Sequence, residues 1–232
     1  MQKVWAKDAS LWRADSGHAK VIANRLGWIG VLDKMRQESG ELQEVARKIR
    51  NSGVRNIVLL GMGGSSLAPE VFALTFAPPG ADCRFFVLDS TDPDSIRAVE
   101  GAIDLRATLF VVASKSGKTL ETLSQFLYFH NRFQTSGVRL DGQNFIAITD
   151  PGSYLAQLAS EYSFQRTFLN PSDIGGRYSA LSYFGLVPAA LWGVDLESVL
   201  TSAMQMRESC GPRAPGESNP ALQLGALLGA TA

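Results

Sequence analysis

The chain has 232 residues, 45% of them hydrophobic and 19% charged, and its 22 basic and 22 acidic side chains leave a formal net charge of zero. This composition suits one or two globular domains with a real core and excludes a disordered tail, a collagen-like chain or a disulfide-stapled miniprotein. With no basic cluster, it also argues against a nucleic-acid partner, because phosphate backbones are held by concentrated Lys and Arg.

The N-terminal string MQKVWAKDASLW is charged throughout and has no apolar stretch of the kind a signal peptide needs. Two helical stretches follow, 19–35 and 41–50, separated by Gly40. From residue 56 the pattern changes to five short β-rich runs: 56–60 (NIVLL), 84–88 (RFFVL), 108–113 (TLFVVA), 144–149 (NFIAIT) and 166–169 (RTFL). Most are continuously apolar rather than alternating, as strands buried on both faces are. Helical stretches at 67–76, 94–100, 119–133 and 154–161 separate them. Alternating strands and helices predict an α/β fold, a five-stranded parallel sheet between helix layers, preceded by N-terminal helices. Function is then expected in the segments just after each strand.

The uncharged run 178–194 is shorter than the ~20 residues of a spanning helix and contains Gly185 and Pro188, so it reads as a buried helix over 180–192. No membrane partner is expected. Two cysteines (Cys83, Cys210) and two histidines (His18, His130) show no metal-like spacing, so no metal and no cofactor are expected, and a reducing cytoplasm is the natural compartment. CGPRAPGESNP, from Cys210, reads as a linker, and the apolar ALQLGALLGATA begins a helix. The expected division is 1–210 as one domain and 211–232 as a linker and helix leading to a further domain.

Three segments carry chemistry. Gly61-Met-Gly-Gly64-Ser65-Ser66 follows a strand and opens a helix. Its glycines allow close backbone approach, its serines donate, and a helix N-terminus favours phosphate. It nearly meets the dinucleotide fingerprint, with Ser66 at the last glycine position and Asp89 available to imitate the ribose-binding acid; a plain strand-to-helix turn is the alternative. Ser114-Lys115-Ser116-Gly117-Lys118-Thr119 also joins a strand to a helix and offers three hydroxyls. Its GKT string lacks the first glycine of a nucleotide P-loop, because Val112 stands there, and a simple helix cap by Ser116 is its bland reading. Third, Gly175-Gly176 sets Arg177 before the apolar helix, where it is either a solvated loop residue or, beside a phosphosugar, a stabiliser of developing negative charge. Glu217-Ser-Asn219 lies in the linker and reads as a solvated acid followed by a helix cap.

Together GMGGSSLAPEVF, VLDSTDP, SKSGKTLET, ITDPGSYL and NPSDIGGRYSALSYFGLVPAAL resemble the glucose-6-phosphate isomerase family, and KDASLW and NRLGW fit its bacterial branch fused to transaldolase. The resemblance implies a sugar isomerase (SIS) fold, with this chain as the first of two such domains and the second one absent. It implies that Gly64 and Ser65 border the sugar, that Ser114, Ser116 and Thr119 hold its phosphate with Lys115 in the same loop, and that Arg177 stabilises the enediolate. The usual motif is SKSGTT or SKTFTT, from which Lys118 departs. It implies glucose 6-phosphate and fructose 6-phosphate as small-molecule partners, and a homodimer is a further expectation. The family's base, a Glu in an M-E-S-N-G-K-like motif, is not in this sequence, so the chain alone is expected to be nearly inactive. A non-catalytic phosphosugar sensor on the same scaffold and a Rossmann nucleotide module are the alternative readings.

Overall fold

A computed structural model of the chain describes residues 1–13, 15–77, 83–138 and 143–231. The N-terminal part forms α1 (Gln2–Trp5), α2 (Ser16–Ala23) and α3 (Val31–Asn51). The helical break expected at Gly40 falls elsewhere. α3 runs straight through Gly40, because burial of Val31, Met35, Leu42, Ala46 and Ile49 along one face outweighs a mid-helix glycine's cost of about 1 kcal/mol. The chain breaks instead over 24–30. There Leu26 makes an antiparallel bridge with Ile174, and the Gly27 N–H donates to the Asp173 carbonyl at 2.9 Å.

The alternating region then gives β1 (Asn56–Gly61), α4 (Leu67–Thr75), β2 (Arg84–Leu88), α5 (Pro93–Ala102), β3 (Thr108–Ala113), α6 (Leu120–Ser136), β4 (Phe145–Thr149), α7 (Tyr154–Glu161) and β5 (Arg166–Leu169). Beyond it lie α8 (Tyr183–Leu191), α9 (Leu196–Ser209) and α10 (Pro220–Thr231). The helix expected over 180–192 starts late because Ser182, in extended backbone, takes the cap position, its Oγ accepting from the Phe184 N–H at 3.4 Å. Asn219 caps α10 as expected, its Oδ1 accepting from the N–H groups of Ala221 and Leu222.

The five strands are all parallel, in the order β2-β1-β3-β4-β5. Because side chains alternate along a strand, each strand feeds two cores. Ile57, Leu59, Leu109, Val111, Ile146 and Ile148 face a layer containing α3, α8 and α9, against which Phe72 and Ala73 of α4 also pack. Val58, Leu60, Phe110, Val112, Phe145 and Ala147 face the opposite layer, with Val99 of α5, Phe126, Phe129 and Phe133 of α6, and Leu155 and Leu158 of α7. Phe110 stacks on Phe145 and meets Phe133 edge-on. The result is the three-layer sandwich expected from the unbroken apolar runs.

The strand order fixes where a ligand can enter. β1 and β3 are neighbours, with Gly61 level with Ala113. The chain leaves β1 for α4 on one face and leaves β3 for α6 on the other. At such a switch point the two connections diverge, and a crevice opens at the carboxyl ends of the strands. The glycine–serine loop and the Ser-Lys-Ser loop both leave the sheet there. None of the described helices is long and apolar enough to cross a membrane.

Candidate functional site: a cleft at the switch point

The loop after β1 turns through Gly63, whose φ is +54°. Ser66 closes this turn, its N–H and its Oγ both donating to the Gly63 carbonyl, at 3.0 and 3.1 Å. Gly64 then comes against the segment after β5. A Cβ placed on it would lie 2.2 Å from the Gly176 carbonyl oxygen and 2.5 Å from its carbonyl carbon. Ser179 Oγ sits between the two segments, 2.7 Å from the Gly176 carbonyl and 3.1 Å from the Gly64 carbonyl, and shares its one proton between them. The first and third segments singled out from the sequence are thus in direct backbone contact.

The loop after β3 is set by its own polar bonds. The Ser114 N–H donates to the Ile148 carbonyl at 3.0 Å, and the Ser114 and Thr119 hydroxyls share a hydrogen bond at 2.9 Å. Gly117, at φ +68°, has no room for a side chain, since a Cβ would fall 2.4 Å from the Leu155 nitrogen. Ser116 does not cap the helix. Thr119 holds the cap position of α6, while the Ser116 Oγ accepts from the Lys118 N–H at 3.2 Å. No side chain caps the first turn of α6, so its leading N–H groups face outward with their partial positive charge.

These loops meet in one cleft of about 520 Å³. Met62, Gly64 and Ser65 line it from the loop after β1, and Lys115, Ser116 and Thr119 from the loop after β3. Asp150, just past β4, and Ser172 and Gly176, past β5, form another wall, and Asn24 and Arg25 close it from the break between α2 and α3. Of the residues expected at the site, Gly64, Ser65, Lys115, Ser116 and Thr119 therefore share one hollow. Ser114 is buried beneath it, bonded to Thr119. Arg177 does not line it. It is exposed one residue beyond Gly176, with no hydrogen bond or ion pair to any described residue. Lys118 is exposed and outside the lining, as is Glu217, on a short turn before α10.

The charges in the cleft are partly spent. Lys115 Nζ donates to the Asp150 carboxylate and, at 2.7 Å, to the Ser172 carbonyl, tying the ends of β3, β4 and β5 together. Burial pushes the Asp150 carboxyl above its ordinary range, and the bond and charge of Lys115 only partly offset this. Its Oδ1 is buried without a hydrogen-bond partner, a costly state for a carboxylate oxygen. Among the described residues, no three His, Cys, Asp or Glu side chains gather as a metal site would. Asn24, Arg25, Asp150 and Ser172 were not singled out in the sequence. Asp150 follows a strand directly, so the strand-end rule reaches it; Asn24 and Arg25 open the NRLGW string that carries part of the family resemblance, but no strand end or glycine–hydroxyl loop marks them as site residues.

The family model described as phosphoglucose isomerase matches residues 20–230. A glucose-6-phosphate isomerase of Cyanothece sp. is 37% identical over 172 residues, which are 73% of this chain and 32% of that protein. Among solved structures, a hypothetical protein of Thermus thermophilus superposes with TM-score 0.79 at 31% identity, covering 99% of this chain and 52% of the other. A glucose-6-phosphate isomerase of Chlamydia trachomatis does so with TM-score 0.63 at 27% identity, covering 89% and 37%. The chain spans 32–47% of the length of the curated relatives it matches. With a family match over nearly its whole length and the sheet and cleft described above, the chain belongs to the phosphoglucose isomerase family.

Proposed function

We propose that this chain is the phosphosugar-binding first domain of a glucose-6-phosphate isomerase, acting on glucose 6-phosphate and fructose 6-phosphate. The observation that carries the reading is the convergence of Ser65, Ser116 and Thr119 on one cleft at the switch point. In this reading the three hydroxyls donate to the phosphate oxygens, and the uncapped first turn of α6 adds N–H donors and its dipole. Ser114 acts indirectly, orienting the Thr119 hydroxyl through their shared bond. Lys115, held by Asp150, shapes the loop rather than serving as a free cation. Gly64 lets the backbone border the sugar.

The reaction moves a proton from C2 to C1 of the open-chain sugar, or back, through a cis-enediolate whose oxygens gain negative charge. Arg177, exposed and unpaired beside Gly176, is the residue proposed to stabilise that charge. The proton itself needs a base. Glu217 is a poor candidate, standing exposed on the turn before α10 and outside the cleft, so the base is assigned to a second sugar isomerase domain, to which residues 211–232 lead. General acid–base transfer contributes roughly 10²–10⁴-fold, so the chain by itself turns over slower than an intact isomerase by about that factor.

Titration calorimetry of the chain with fructose 6-phosphate tests the proposal. Ser116→Ala and Thr119→Val each weaken binding about tenfold, the value of one hydrogen bond to a charged group; Ser116→Ala leaves the thermal midpoint nearly unchanged, whereas Thr119→Val lowers it, because the buried Ser114 hydroxyl loses its partner. A wild-type chain that binds neither sugar phosphate overturns the reading.

A further inference from the structure

The charge balance of the cleft points to a residue outside all three loops. Its lining contains three charged side chains, Arg25, Lys115 and Asp150. Lys115 and Asp150 form an ion pair with each other, so the one charge left over in the lining is that of Arg25. No carboxylate of the described residues forms a salt bridge with it. Among the described residues its only hydrogen bond is local, Nη1 donating to the Asn24 carbonyl at 3.2 Å, which leaves most of the five guanidinium donors free. Its charge nonetheless reaches Asp150 across the cleft.

Arg25 is also held in place by structure distant in sequence. The Leu26–Ile174 bridge and the Gly27–Asp173 hydrogen bond fasten the segment to the loop after β5. Gly27 is packed so tightly that a Cβ there would lie 2.2 Å from Asp173 Oδ1. The Arg25 side chain runs beside Gly175, its Cδ 3.4 Å from where a Cβ on that glycine would stand. A flexible surface arginine needs no such anchoring. A phosphorylated sugar is a dianion, and a cleft that takes one gains from an uncompensated cation with directional donors on its wall.

We infer that Arg25 is a substrate-binding residue, supplying the cleft's net positive charge and direct hydrogen bonds to an anionic phosphosugar; this rests on the phosphosugar reading of the same cleft. The segment before α3 is then part of the binding site rather than a structural lead-in.

The test measures fructose 6-phosphate and inorganic phosphate binding to the wild-type chain, Arg25→Ala and Arg25→Lys, at several ionic strengths. Arg25 is exposed, so all three keep the same thermal midpoint. Arg25→Ala binds fructose 6-phosphate about tenfold more weakly, as loss of a hydrogen bond from a charged group does, and its affinity depends less on salt. Arg25→Lys restores the salt dependence, because the charge is back. Wild-type affinity and salt dependence in Arg25→Ala overturn this inference alone. A wild-type chain that binds neither anion overturns the phosphosugar reading and this inference with it.

Discussion

Replacing Gly64 with Ala tests the backbone contact on which the cleft's shape depends. The added Cβ would stand 2.2 Å from the Gly176 carbonyl oxygen and 2.5 Å from its carbon. Neither atom belongs to a side chain that could rotate away, so one backbone segment has to move by about an ångström to reach ordinary contact distance. Overpacking of this kind costs typically 1–3 kcal/mol. The shift also breaks the longer of the two contacts of the Ser179 hydroxyl, the one to Gly64, worth at most about 1 kcal/mol. A total near 3 kcal/mol lowers the thermal midpoint of a chain this size by roughly 6–12 °C. Gly63→Ala is the matched control. Gly63 sits at φ +54°, but a Cβ there meets nothing within 4 Å, so the variant bears only the left-handed backbone penalty of roughly 1–2 kcal/mol. Differential scanning calorimetry reads the midpoints, and fructose 6-phosphate titration reads the cleft. Gly64→Ala should lose both stability and binding, whereas Gly63→Ala keeps its binding. A Gly64→Ala chain with the midpoint and affinity of wild type refutes the claim that the two segments are locked together.

Two titratable groups give further checks. Burial, then the hydrogen bond to the Glu38 carboxylate, hold the Tyr183 hydroxyl well above its ordinary pKa of 10.0. Its stabilising contribution is complete below that pH and is lost as pH climbs above it, because the unfolded chain ionises first. Tyr183→Phe therefore costs about 1 kcal/mol near neutrality and flattens the alkaline limb of a pH–stability curve; an unchanged limb counts against this. For Asp150 the sign is the same and only the pH window differs. Its raised folded pKa means that the charged form is disfavoured by folding, and this cost is relieved as pH falls through the folded value toward 3.8. Carboxyl-carbon NMR should give Asp150 a midpoint above 3.8 while Asp92 and Asp195, which accept hydrogen bonds at helix starts, titrate below it. Lys115→Met raises the Asp150 midpoint further, and a fall on that substitution would contradict the pairing.

The sheet was legible because its three central strands, β1, β3 and β4, are buried on both faces along their length. Runs such as TLFVVA can satisfy six consecutive buried positions in no half-exposed strand. The two loops were legible from glycine and hydroxyl spacing, but not their convergence, which follows from β1 and β3 being neighbours and so from strand order, a non-local property. The errors have the same origin. Gly40 marks a local weakness that tertiary burial of α3 overrides, while the true break at 24–30 is made by partners far along the chain, Asp173 and Ile174. Ser116 was a reasonable cap by local rules, yet Thr119 takes the position and spends its hydroxyl on Ser114. α9 did carry a local signal that was not read, since Leu196, Val199, Leu200, Ala203 and Met204 recur at i, i+3, i+4, i+7 and i+8 along the face that packs on the core.

The Gly64–Gly176 contact also bears on when, during synthesis, the domain can first recognise anything. A nascent chain carries both hydroxyl-bearing loops once α6 has emerged, but the wall against which the first loop rests arrives only with the segment ending at Ser179. A ligand of this cleft therefore meets its complete wall only on the finished domain. Anything that binds there favours the folded domain by mass action, so such a ligand would act on how long the finished domain survives.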